Sequence, residues 1–244
     1  MKKYFVVGNV LGHLTIMKET LGQKGWDYDD PNHILVLNGN VFYNACNENI
    51  DMIKYLTPLK EKNRLEIIEG VQERILKNCY RTLLQNPKQM DLCYVFDGSL
   101  GIISNMCGLT NIYNAETITP KEKRDIKKKM MPLFRLTNNA KHYLEINNNI
   151  ILYGWLPDST YWYLASDFEW LISKWYNGAD LAIKEHQTIK GKTIICAHQP
   201  ARKAHRKYNK KKGCFNIFKK DGVVLLNCDV VKSKKLGVYV IEGD

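Results

Sequence analysis

The sequence has no apolar run long enough to cross a bilayer. Its opening stretch, Tyr4-Phe5-Val6-Val7 behind Met1-Lys2-Lys3, breaks at Gly8-Asn9, short of the roughly 7 to 15 residues of a secretory leader. Neither a membrane span nor a signal peptide is expected. Paired cysteine spacing is missing too. Seven scattered cysteines, an odd number, suit reduced thiols in a cytoplasm rather than a disulfide framework, and Cys196 and Cys214 read as core residues. There is no internal repeat, no flexible linker and no recognised nucleic-acid-binding motif. Acids are scarce relative to bases, 25 Asp plus Glu against 36 Lys plus Arg, and the resulting net charge of +11 favours acidic partners.

What is present is enough for a sizeable core: 244 residues at 45% hydrophobic content. A single domain over 1–244 is expected, with a helical segment at about 98–133 inserted between the core strands. Short apolar runs alternate with helical patterns, the mark of a layered α/β protein. Strands are expected at Lys3 to Val7, Ile34 to Asn38 and Leu65 to Ile68. Helices should follow at His13 to Leu21, Asn49 to Leu59 and Gln72 to Leu84. A charged helix is expected from Pro120 to Met131. Further strands are expected at Tyr143 to Ile146, Ile150 to Tyr153, Thr193 to Cys196, Cys214 to Phe218, Gly222 to Leu226 and Gly237 to Ile241.

The short motifs fall at the C-terminal ends of these strands, where open α/β sheets gather ligands. Gly8-Asn9-Val10-Leu11-Gly12-His13 reads like Gly-Asp-x-His-Gly-His with the Asp and the first His replaced. Gly39-Asn40-Val41-Phe42-Tyr43-Asn44-Ala45 reads like Gly-Asp-x-x-Asp-Arg-Gly with Asp, Asp, Arg and Gly changed. Glu69-Gly70-Val71-Gln72-Glu73 is similar to a Gly-Asn-His-Glu block without its Asn and His. Tyr153-Gly154-Trp155-Leu156-Pro157-Asp158 is similar to His-Gly-Trp-x-Pro, and Ala197-His198-Gln199-Pro200 to Gly-His-x-His. With Glu169-Trp170, Lys174 to Asp180, Asn227 and the closing Tyr239-Val240-Ile241-Glu242, the chain resembles the calcineurin-like metallophosphoesterases over nearly its whole length. The resemblance is to their bacterial and phage serine/threonine phosphatase-like branch. It implies a four-layer αββα sandwich with mixed sheets.

In that family two metal ions clamp a phosphoryl group and activate a water. Two dications about 4 Å apart repel by roughly 16 kcal/mol at an effective dielectric of about 20, so anionic ligands must offset them. Matched position by position, the resemblance puts metal ligands at Asn9, Leu11, Asn40, Val71, Tyr153, His198 and Pro200, of which only His198 keeps its residue. Leu11, Val71 and Pro200 cannot coordinate, and Tyr153 would have to ionise against a reference pKa of about 10. Tyr43, Asn44, Gln72 and Asn227 are further changed positions, and Gln72 cannot act as a general acid. No resident metal cofactor and no catalytic residue are expected: the chain resembles a pseudophosphatase. A rebuilt one-ion site using Asp97, Glu73, His13, His198 and His205 is the alternative, and with it residual phosphoesterase activity.

Loss of the acids removes their mutual repulsion and leaves strand-end amides and helix N-termini that favour anions. The partners implied are a phosphate-containing small molecule or nucleotide, or a protein. Two basic clusters extend the argument. One is Lys121, Lys123, Arg124, Lys127, Lys128 and Lys129 on the expected helix. The other is Arg202, Lys203, Arg206, Lys207, Lys210, Lys211 and Lys212, expected in a loop that also holds His205 and Tyr208 for stacking on bases. Candidate anion contacts are therefore His13, His198, Lys203, His205, Arg206 and Lys207, and a nucleic-acid-binding role of the basic loop is the third reading.

Overall fold

A computed structural model describes residues 1–243 except 45, 91–92, 97, 110–117, 158–160, 167–168, 171–177 and 186–188. The strands explain the architecture. In β1 (Lys2–Gly8), Phe5 and Val7 enter one core cluster while Val6 enters another. In β2 (His33–Asn38), Leu35 and Leu37 take the first side and Val36 the second. Later, β6 (Thr193–Pro200) and β8 (Val223–Asn227) send Ile195, Ala197, Val224 and Leu226 into that same second cluster. Their alternate residues Ile194, Cys196, Val223 and Leu225 enter a third. Strands apolar on both faces must be covered on both. The two sheets therefore share a middle cluster, and each needs helices outside it, which is the αββα order.

The first sheet runs β3 (Leu65–Ile68), β2, β1, β9 (Gly237–Gly243), parallel except for β9. The second runs β4 (Tyr143–Ile146), β5 (Asn149–Leu152), β6, β8, β7 (Phe218–Lys220), with β5, β6 and β8 parallel between antiparallel edges. Helices α1 (Leu14–Gln23), α2 (Asn49–Glu61) and α3 (Val71–Gln85) supply buried residues to the cluster outside the first sheet. After a short α4 (Cys93–Phe96), α5 (Ser99–Cys107) and α6 (Pro120–Thr137) join that layer. On the other side α7 (Gly178–Glu185) and α8 (Ala201–Tyr208) cover the second sheet. A last short helix, α9 (Val230–Ser233), buries Val230. No described helix is long and apolar enough to cross a membrane.

Two residues bind the sheets together near the future site. A Cβ on Gly8 would stand 2.6 Å from the Cβ of Leu226, so only glycine lets the sheets touch there. From the buried end of β2, Asn38 Nδ2 donates to Leu152 O (2.9 Å) and Ile195 O (3.2 Å) of the second sheet.

The structure departs from the sequence expectations in several places. The first part of the basic segment after β6 is helix α8 rather than loop, while Lys210, Lys211 and Lys212 follow it outside any helix. Ala201, Ala204 and His205 form its buried stripe, a helical spacing hidden among cations. Strand β6 continues to Pro200 instead of stopping at Cys196. Helix α6 continues past Met131 to Thr137, started by a capping box between Thr119 and Glu122. Strand β7 starts at Phe218, not Cys214, and Cys214 is half-buried rather than a core residue.

Candidate functional site

The parallel strands of both sheets deliver their C-terminal ends to one edge, and the hydrogen bonds there cross from sheet to sheet. After β2 the chain turns through Gly39 and Asn40 with φ of 69° and 50°. Asparagine tolerates the left-handed region better than most residues, and Gly39 is obligatory for a second reason: its Cβ would lie 2.2 Å from the Tyr153 ring. The ring of Tyr153 thus rests over the end of β2. At the end of β6 a bulge makes both Ala197 N–H (3.1 Å) and His198 N–H (2.8 Å) donate to Tyr153 O. The bulge aims His198 at the same tyrosine.

A chain of neutral groups results. Gln72 N–H donates to Asn40 Oδ1 at 3.0 Å, which fixes the amide's orientation, and Asn40 Nδ2 donates to the Tyr153 hydroxyl at 2.6 Å. The hydroxyl accepts from Asn40, and its oxygen stands within hydrogen-bond distance of His198 Nδ1, 2.9 Å away. Burial, reinforced by the nearby Lys203 charge, holds His198 below its ordinary pKa, so the ring is neutral at neutral pH. Asn227 Nδ2 donates to His198 O at 2.9 Å and Asn227 Oδ1 accepts from Asp229 N–H at 3.0 Å, tying β8 into the same edge.

Glu73 accounts for the backbone amides. Fully buried, it accepts from Asn40 N–H (2.9 Å), Val41 N–H (2.7 Å) and Gly70 N–H (3.0 Å). Burial pushes its carboxyl up, and these donors pull it back. The expectation that the crevice keeps free amides for an anion is thereby corrected: the amides at the end of β2 and the start of α3 are already bonded to Glu73 and Asn40. The sequence carried a signal for this, since a glutamate three residues after the cap position of a helix is the pattern of a capping box.

The other expected positions divide. Asn9, buried, also has φ 50°, and its Oδ1 has no hydrogen-bond partner among the described residues. Leu11 has φ 50° as well, a strained value for a branched aliphatic residue. Val71 opens α3 and packs on the middle cluster. Tyr43 and Asn44 belong to packing: Asn49 brackets the Tyr43 backbone, and Asn44 fills the space over Gly101. His13 stands apart from His198, beside Cys46. His205 is a structural residue and not an anion contact. It is buried, its Nε2 faces Asn216 O (3.1 Å) and Ile217 O (3.3 Å), and its ring meets Phe218 edge-on. Tyr208 is likewise unavailable for stacking, because its hydroxyl donates to Asp180 Oδ1 at 2.8 Å and its ring tilts against Phe218. Lys207 pairs with Asp180 at 2.6 Å. Among the described residues Lys203 and Arg206 form no ion pair. Asp97, Asp158 and the segment Lys174 to Asn177 lie outside the described residues.

One cavity adjoins the network. About 250 Å³ in volume, it is lined by His198, Gln199, Pro200 and Lys203, with Asp180, Lys207 and Tyr208 at the α7 and α8 side. Among the described residues its one lining cation outside an ion pair is Lys203, and the carboxylate that lines it, Asp180, is paired with Lys207.

No protein-family model matches the chain, and no curated protein matches it. Among solved structures it is similar to one described as "a putative diadenosine tetraphosphatase". Identity is 11% and the TM-score 0.50, with 100% of this chain and 94% of that one covered. Such a likeness speaks to fold: two mixed sheets between helix layers, of the calcineurin-like phosphoesterase type.

Proposed function

We propose that this protein is a non-hydrolysing relative of the metallophosphoesterases, a pseudophosphatase that acts by binding a phosphate-containing ligand. The carrying observation is the Gln72–Asn40–Tyr153–His198 chain. The side chains of Asn40, Tyr153 and His198 meet, as metal ligands of a phosphoesterase would, but they are neutral and bonded to one another, with the Gln72 backbone N–H holding the Asn40 oxygen. The group at the bridging position has its amide oxygen and nitrogen both engaged. A pair of dications needs anionic donors, and the carboxylate beside Asn40, Glu73, is committed to backbone amides. The residues therefore do not fit a dinuclear centre, and no hydrolytic step follows from them.

The ligand site in this reading is the cavity beside His198 and Lys203, whose volume accommodates a phosphate or a phosphomonoester head group. Calorimetry in chelator with inorganic phosphate and a nucleotide panel tests it. Binding should weaken about tenfold in Lys203→Ala, and binding indifferent to that change, or none at all, removes the site. Hydrolysis is tested with an aryl phosphomonoester and phosphodiester in excess manganese or zinc. No turnover is expected; turnover that collapses in His198→Ala would overturn the reading.

A further inference from the structure

We infer that His13, Cys46 and Glu48 form a mononuclear site for a borderline-soft divalent cation of the zinc class, at the edge of the crevice and separate from the Asn40 network. The three side chains each offer a donor atom, nitrogen, sulfur and oxygen, and those atoms all lie within 4.8 Å of one another. His13 Nδ1 and Cys46 Sγ are 4.0 Å apart. Around a tetrahedral zinc with bonds of about 2.0–2.3 Å, neighbouring donors stand roughly 3.4–3.6 Å apart. Side-chain movements on the order of an ångström close the site, with a water as fourth ligand.

The backbone makes this approach deliberate. Gly12 has φ 77°, and a Cβ there would lie 2.7 Å from the Cβ of Cys46, so glycine is what lets the β1–α1 loop come down onto the cysteine. Asn49 Nδ2 donates to Tyr43 O (2.8 Å) and Cys46 O (3.1 Å), bracing the opposite loop. Thr15 orients the carboxylate: its N–H lies 3.3 Å from Glu48 Oε1, and its hydroxyl donates to the same oxygen. Such outer partners fix a ligand's orientation and its basicity. Without metal the thiol keeps its proton and donates it to Gly12 O at 3.0 Å. Binding releases that proton to solvent and forms the thiolate–metal bond.

Charge balance favours the ion. Thiolate and glutamate together neutralise a dication, so the Lys234 charge near His13 would face a ligated site of no net charge. The donor set also selects: sulfur and imidazole beside one carboxylate suit zinc over magnesium or calcium, which take oxygen. Bound metal would clamp the loop after β1 to the loop before α2, the two loops that carry Leu11 and Asn44.

Cobalt(II) titration of the reduced full chain under anaerobic conditions tests the assignment. One equivalent should bind with a thiolate-to-metal charge-transfer band, and zinc should displace it. Glu48→Gln and His13→Gln should weaken binding about 100-fold or more, Thr15→Val about 10-fold, and Cys46→Ser should abolish the band. His198→Ala should leave all of this unchanged, which separates this site from the proposed phosphate cavity. Should Cys46→Ser fail to fold, the half-exposed His13 and Glu48 variants decide alone. Absence of the band, or tight binding indifferent to His13→Gln and Glu48→Gln, overturns the inference.

Discussion

Asn9 and Asn40 end neighbouring parallel strands with the same left-handed φ of 50°, and both stand where the motif resemblance puts carboxylates. They have been absorbed very differently. Asn40 is wired on both sides: its backbone N–H to Glu73, its amide oxygen to Gln72 and its amide nitrogen to Tyr153. Asn9 is the more buried of the two, yet its side-chain oxygen has no hydrogen-bond partner among the described residues. An acid-to-amide exchange removes charge at both places but is structurally completed only where neighbouring residues supply complementary donors and acceptors. Tyr153 is the neighbour that does so at the second site, and among the described residues no donor meets the Asn9 side-chain oxygen at the first.

The largest effect should come from the anchor beneath Asn40. Glu73→Ala strands three buried N–H groups, each costly to leave unmade, and should destabilise by about 3–5 kcal/mol in chemical denaturation. A loss below about 1 kcal/mol would show that the crevice admits water and that the amides are free for an anion after all.

The comparison itself is sharpened by one substitution made twice. Glycine accepts φ near +50° without strain, so Asn40→Gly and Asn9→Gly differ mainly in the side-chain bonds removed. Asn40→Gly should cost about 2 kcal/mol, because the Tyr153 hydroxyl and the Gln72 N–H lose their partner. Asn9→Gly removes an unsatisfied carbonyl and should leave stability unchanged or raise it by about 1 kcal/mol. Equal losses at the two sites would mean that Asn9 has a partner in solution. A smaller effect is expected for Tyr153→Phe, about 1 kcal/mol, since the ring still packs over Gly39 and only the hydroxyl relay is lost.

Much of this was legible in the residues. Strands β1 to β3 and their helices follow from short apolar runs and three- and four-residue spacing, because those segments are buried on one or both faces and periodicity records burial. That Asn40, Tyr153 and His198 share one site came only from the family resemblance and not from any period; their side chains are in contact. Helix α8 was not legible, because its apolar stripe is only Ala201, Ala204 and His205 among four cations. Its buried histidine packs edge-on against Phe218 of another element. Unlike its capping-box bond to the Gly70 N–H, the use of Glu73 as an acceptor for the Asn40 and Val41 amides was equally hidden, since it depends on a loop 32 and 33 residues earlier. Long-range polar pairing leaves no period in a sequence.

The finest test of the network is its pH response. His198 has a folded-state pKa below the ordinary 6.5, from burial and then from Lys203. The unfolded chain therefore takes up its proton first, and the stability associated with neutral His198 is present above about pH 6.5 and is lost as pH falls through the folded value. His13, also lowered, adds a slope of the same sign, while Glu73, raised above 4.5, contributes in the opposite sense, favouring the fold below 4.5 and losing that as pH rises. Only the difference between the native chain and His198→Gln isolates the ring. Denaturation from pH 7.5 to 5 should show the native chain losing more stability than the variant. If His198 is instead held protonated in the fold, the difference should change sign.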